Sequence, residues 1–127
     1  MIKVLVTGVL GQDGANMAEY LLREVGDVKI YGMMRRSANP NFLNTYNFKN
    51  NPNFEFIYGD LSDDVSIDKI VKDIQPDYFI NFAANSFVGC SWDMPLQVMD
   101  INTIGVLRCL EAIRKFKPDC RFYSAGS

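Results

Sequence analysis

A chain of 127 residues, 48% of them hydrophobic and 22% charged, is sized for one domain and too apolar to be disordered. A net charge of −2 with scattered basic residues excludes a basic face for nucleic acid, and no apolar run approaches the ~20 residues of a membrane helix. Histidine is absent, which removes His-based triads and His metal sites, and no metal site is expected. Cys90, Cys109 and Cys120 form no Cys-x-x-Cys pair and read as buried apolar thiols of a cytoplasmic protein. One Lys followed directly by a strand pattern is not a secretory signal.

Residues 2–7, with Ile2, Val4, Leu5 and Val6, predict a first strand. Ala18, Leu21, Leu22 and Val25 recur at steps of three and four and predict a helix over 13–25. A second strand is expected at 28–34. Positions 35–52 hold many Asn and two prolines and read as a long loop, with a helical turn at 43–49. Such a loop inside a compact domain is usually functional or mobile. A third strand at 54–58 ends at Gly59-Asp60-Leu61. Ser62 or Asp63 then caps a helix over 64–74 with Val65, Ile67, Ile70, Val71 and Ile74 on its apolar side. Pro76 stops that helix and 78–82 is the fourth strand. A loop of small residues follows, Pro95 opens a long helix through Phe116, and 120–124 is a fifth strand.

Strict alternation of strand and helix predicts a Rossmann-like, doubly wound parallel sheet in an α/β/α sandwich, with right-handed crossovers and strand order 3-2-1-4-5. Nearly continuous apolar strands suit a sheet covered on both faces. Ligands then bind at the carboxyl ends, where the order reverses between strands 1 and 4. Residues 1–127 are read as one NAD(P)-binding domain. The fifth strand is left as an apolar edge, so the chain is expected to be part of a longer protein or to close that edge by self-association.

Three glycines, Gly8, Gly11 and Gly14, stand between the first strand and the first helix. That arrangement places a diphosphate on the helix N-terminus, where free N–H groups and the positive dipole end hold an anion. Gly8 permits the turn, Gly11 lets backbone approach the phosphates, and Gly14 lets helix and sheet pack closely. Arg35-Arg36-Ser37 begins 21 positions after Gly14, where an acidic residue would bind the ribose hydroxyls of NAD. Two guanidiniums and a hydroxyl suit a 2′-phosphate and favour NADP, the alternative being a solvated basic pair. Asp60, at the end of strand 3, is placed to accept an adenine amine with Leu61 packed on the ring; a turn or capping role is the alternative. Ala83 and Ala84 after strand 4 fit a close cofactor passage or simple packing. Lys-Ser/Thr does not follow Gly14, which excludes a P-loop.

Gly8-x-x-Gly11-x-x-Gly14, Asp60-Leu61, Asn81-Phe82-Ala83-Ala84 and Phe122-Tyr123-Ser124-Ala125-Gly126-Ser127 resemble the extended short-chain dehydrogenase/reductases. Gly11-Gln12-Asp13-Gly14, Ala18-Glu19-Tyr20-Leu21-Leu22, Arg35-Arg36-Ser37, Tyr58-Gly59-Asp60-Leu61 and Ser91-Trp92-Asp93 are most similar to the GDP-mannose 4,6-dehydratase family. The resemblance implies a cytoplasmic, self-associating enzyme that makes GDP-4-keto-6-deoxy-mannose from GDP-mannose. Its steps are hydride transfer from sugar C4 to NADP⁺, loss of water across C5–C6, and return of the hydride to C6.

By the same resemblance, Gly8, Gly11, Gln12 and Asp13 belong to the pyrophosphate turn, and Arg35, Arg36 and Ser37 to the adenosine phosphate. Asp60 with Leu61 belongs to the adenine, and Phe82, Ala83, Ala84 and Ser86 to the cofactor's middle and nicotinamide side. Ser127 falls at the catalytic Ser/Thr. Gly126 stands where the family usually has Ser, and Asn85-Ser86-Phe87 where it often has Gln-Ser-His. The chain ends before the family's Glu base, its Tyr-x-x-x-Lys pair and its sugar-nucleotide subdomain, so this chain alone is expected to be inactive. Another sugar-nucleotide epimerase, dehydratase or reductase of the extended family, or a non-catalytic NADP-binding module, are the competing readings.

Overall fold

The computed structural model describes residues 1–35, 42–82 and 104–124. Five strands form one parallel sheet: β1 (Ile2–Thr7), β2 (Val28–Met34), β3 (Phe54–Tyr58), β4 (Tyr78–Asn81) and β5 (Arg121–Ser124). Their order is β3-β2-β1-β4-β5, the reversal falling between β1 and β4 as expected. Three α-helices accompany them among the described residues: α1 (Gln12–Glu24), α2 (Asp64–Ile74) and α3 (Gly105–Phe116). The expected start of the third helix at Pro95 lies outside the described residues.

Alternation along β1 separates two apolar clusters. Val4 and Val6 face the cluster with Val9, Ala15, Ala18, Val28, Ile30, Phe48 and Phe54, under α1. Leu5 faces the other, with Phe79, Ile67, Val71, Cys109 and Ala112, under α2 and α3. Phe79 is wholly buried there and lies edge-on to Phe122, with ring centroids 5.3 Å apart. Among the described residues the double cover ends at β5. Phe122 joins the second cluster, while Tyr123 on the opposite face is 58% exposed.

Local signals account for the helix ends. Of the two candidate caps for α2, Asp63 is the one used, accepting from the Val65 N–H at 3.1 Å, and such a cap contributes about 1 kcal/mol. Gln75 ends the helix in the left-handed region at φ 56°, and buried Pro76 follows. The Gln75 side chain donates from Nε2 to the Phe116 carbonyl at 2.9 Å, tying the C-terminal ends of α2 and α3 together.

The segment expected to be a long loop with a helical turn at 43–49 is partly built into the core. Leu43–Thr45 forms a 3-10 turn, Thr45 is fully buried, and Phe48 packs edge-on against Phe54 beneath α1. Its Asn content conceals this, because two side chains do the burying.

Candidate functional site

At the carboxyl end of β1 the chain turns into α1 through a tight loop. Gly8 takes φ 69°, a left-handed conformation open to glycine at little cost. Its carbonyl accepts from the Gly11 N–H at 3.0 Å. Gly11 is the N-cap of α1, and no side chain caps that end. A helix start without a side-chain cap leaves its first N–H groups for another acceptor, and an anion is the natural one. Gln12 and Asp13, the first two helical residues, are both exposed.

Gly14 has a more specific reason to be glycine than close helix–sheet packing in general. A Cβ there would stand 2.3 Å from the Gly8 carbonyl oxygen and 3.0 Å from the Val9 Cα. The first turn of α1 therefore rests on the backbone of the loop itself. A Cβ at Gly11 would meet only that same oxygen, at 3.3 Å.

The floor beside this turn is a polar ladder across three strands. Thr7, Asn81 and Ser124 are in register on β1, β4 and β5. The Thr7 hydroxyl donates to the Asn81 Oδ1, and the Asn81 amide donates from Nδ2 to the Ser124 Oγ at 3.3 Å. Thr7 and Asn81 are almost fully buried, so each needs such partners. Sequence reading missed this ladder. A polar residue closing each of three apolar strands was the available signal.

Asp60 and Arg35 stand at the ends of β3 and β2. Asp60 is exposed, and its Oδ1 accepts from the Ser62 N–H at 2.9 Å and the Ser62 hydroxyl at 2.6 Å. These two bonds, with the charges of Arg35 and Arg108 nearby, hold the Asp60 carboxyl below its ordinary range. Asp60 is thus a turn residue, and that role still leaves Oδ2 outside both bonds. Leu61 differs from expectation. Its side chain is 5% exposed in the α2–α3 cluster, because the turn directs it into the sheet's apolar side. What residue 61 offers toward the crevice is main chain.

Arg35 is exposed immediately after β2. Phe82 is half-buried beyond β4, its N–H donating to the Thr7 carbonyl at 3.2 Å and its ring 6.4 Å from that of Tyr123. With Tyr20, Met17 and Tyr123 it lines an open groove of about 620 Å³ along α1, which none of Gly8, Gly11, Arg35 and Asp60 lines. Arg36, Ser37, Ala83, Ala84, Ser86 and Ser127 lie outside the described residues. The structure therefore gathers Gly8, Gly11, Gln12, Asp13, Gly14, Arg35, Asp60 and Phe82 at the carboxyl ends of β1 to β4.

The family model for GDP-mannose 4,6 dehydratase matches residues 5–127. The chain belongs to that family. It is similar to the GDP-mannose 4,6-dehydratase of Yersinia enterocolitica, 37% identical over all of this chain and 36% of that protein. The human GDP-mannose 4,6 dehydratase is 34% identical over 97% of this chain and 35% of its own length. The chain thus spans about a third of the length of the curated relatives it matches. Among solved structures, the dTDP-glucose 4,6-dehydratase of Bacillus anthracis, in complex with NAD, superposes with a TM-score of 0.81. It is 25% identical, with 98% of this chain and 37% of that one covered. The UDP-Glc/GlcNAc 4-epimerase of Campylobacter jejuni shares the fold, with a TM-score of 0.83 at 21% identity over 98% of this chain and 36% of that one. Among the described residues no helix is long and apolar enough to cross a membrane.

Proposed function

We propose that this chain is the NADP-binding part of a GDP-mannose 4,6-dehydratase, a lyase that converts GDP-mannose to GDP-4-keto-6-deoxy-mannose in the cytoplasm as a homo-oligomer. The observation that carries the cofactor reading is the uncapped start of α1, set at the strand-order reversal by a left-handed Gly8 and a Gly14 with no room for a Cβ. A diphosphate accepts from those N–H groups and sits against the positive end of the helix. Family membership supports the substrate. The NAD complex of the B. anthracis dehydratase supports a nicotinamide dinucleotide.

When bound, that group supplies hydride acceptance and return. The chain's own residues do the rest. Gly8, Gly11, Gln12, Asp13 and Gly14 form the diphosphate turn, Asp60 accepts the adenine amine, and the main chain at Leu61 borders the ring. Arg35, Arg36 and Ser37 hold the 2′-phosphate, with Arg35 following β2 directly at the crevice. Phe82, Ala83, Ala84 and Ser86 line the middle of the dinucleotide, and Ser127 hydrogen-bonds the sugar 4-oxygen. Deprotonating the 4-hydroxyl requires a base within hydrogen-bond reach, and the family's Glu and Tyr-x-x-x-Lys are not in this sequence, so these 127 residues alone turn nothing over.

Calorimetric titration with NADPH and NADH tests the cofactor reading: tight NADPH binding with weak NADH binding is expected, and equal affinity for both, or for neither, overturns it. Turnover of GDP-mannose by the 127-residue chain refutes the claim of inactivity.

A further inference from the structure

Arg108 sits in the first turn of α3, beside buried Cys109, and reaches the turn that leads into α2. Its Nη1 donates to the Leu61 carbonyl at 2.9 Å, a contact spanning 47 residues of chain. The Leu61 side chain is already locked in the apolar cluster that Cys109, Ala112 and Ile113 of α3 help to form. Residue 61 is therefore held at both ends, its side chain by packing and its carbonyl by a guanidinium. The residue before it is Asp60, whose N–H donates to the Ser66 Oγ at 3.2 Å and whose Oδ1 is taken by Ser62. Farther along α3, Lys115 pairs with Asp68 at 2.9 Å, so α3 is fastened to α2 well away from Arg108. The Lys115–Asp68 pair thus fastens the two helices to each other, whereas the Arg108 bond to the Leu61 carbonyl fastens α3 to the turn that precedes α2.

We propose that Arg108 is a positioning residue for base recognition, holding the Asp60-Leu61 turn so that the Asp60 carboxylate meets the exocyclic amine of an adenine nucleotide. The inference rests on the dinucleotide reading above and deepens it. Arg108 is assigned no direct contact with the cofactor in this reading. It acts through the Leu61 carbonyl, and its charge lies near Asp60 together with that of Arg35. A charge-assisted bond from a planar guanidinium to a fixed carbonyl restricts the turn in direction as well as distance.

The test compares binding of NADPH with that of its hypoxanthine analogue, in which the exocyclic amine is replaced by a carbonyl oxygen. One hydrogen bond to a carboxylate corresponds to a preference of about tenfold or more for NADPH in the unaltered protein. Asp60→Asn removes that preference. Arg108→Gln is expected to reduce it toward unity while NADPH still binds, and Arg108→Lys, with a single ammonium, to keep part of it. A merely structural Arg108 lowers the thermal midpoint and leaves the preference ratio unchanged. Should Arg108→Gln fail to fold, the Arg108→Lys ratio decides: below the unaltered value supports positioning, equal to it overturns it. If the unaltered protein binds neither dinucleotide, the cofactor reading falls and the inference with it. If it binds both equally, the assignment of Asp60 to the adenine amine falls together with the inference while the diphosphate turn stands; if Arg108→Gln keeps the full preference, only the inference falls.

Discussion

Gly14→Ala is the most exacting test of the first turn. The added methyl would lie 2.3 Å from the Gly8 carbonyl oxygen, 2.8 Å from the Gly8 carbonyl carbon and 3.0 Å from the Val9 Cα. All three are backbone atoms, so no side chain can rotate away. Restoring a contact of roughly 3.5 Å requires α1 or the loop to move by about 1 Å. Overpacking of this kind costs about 1–3 kcal/mol, with a rigid backbone at the upper end, and the better helix propensity of Ala returns up to about 1 kcal/mol. The net loss is about 2 kcal/mol, or roughly 8 °C in thermal midpoint for a domain of this size. Displacing the helix start also misaligns the N–H groups offered to the diphosphate, and losing one charge-assisted bond weakens NADPH binding by about tenfold or more. Urea denaturation and calorimetric titration read the two effects separately. Gly26→Ala is the control, since a Cβ there meets nothing within 4 Å, and it leaves both quantities near their starting values. A Gly14→Ala protein with unchanged stability and unchanged NADPH affinity would refute the steric argument and the diphosphate turn built on it.

Arg35→Ala should weaken NADPH binding by about 10- to 100-fold while changing NADH binding little, because a guanidinium–phosphate contact contributes about 1.5–3 kcal/mol; paired titrations measure it. Thr7→Val takes a hydroxyl from buried Asn81 and should cost about 1–3 kcal/mol in urea denaturation, with the Thr7→Val/Asn81→Leu double variant less damaging than the sum of the singles. Burial pushes the Cys109 thiol from its ordinary 9.0 up to about 12. Its contribution to stability is therefore fully present below pH 9 and is lost as pH rises toward 12, and peptide mapping after iodoacetamide treatment at pH 8 should find Cys109 unmodified until the protein is unfolded.

Elements bounded by strong punctuation were legible in the sequence. β2, β3 and α2 begin and end where read, because Gly26-Asp27, Gly59-Asp60, Asp63 and Pro76 mark their limits chemically. The strand order followed from the handedness of crossovers, a rule that needs no knowledge of contacts. Long-range placement was not legible. The helical turn expected at 43–49 is there as the 3-10 turn Leu43–Thr45, but nothing in the Asn-rich stretch told that Phe48 lies under α1 or that the Asn44 amide donates to the Leu10 carbonyl at 3.0 Å beside the glycine turn. Leu61 read as a surface for a base because it follows Asp60, yet the turn sends its side chain inward. Arg108 had no sequence signal at all, since its partner lies 47 residues away and is a carbonyl, which every residue possesses.

The division of the apolar interior by the sheet has a consequence for how this protein tolerates change. Val4 and Val6 of β1 look into one chamber and Leu5 into the other, with the hydrogen-bonded strands as the wall between. A volume error at Ala18 is felt by Val28 and Phe48 but stops at that wall, and one at Ala112 is confined to the company of Ile67 and Phe79. Paired substitutions drawn from opposite chambers should then behave as independent lesions, so each half of the interior is free to drift without waiting for the other.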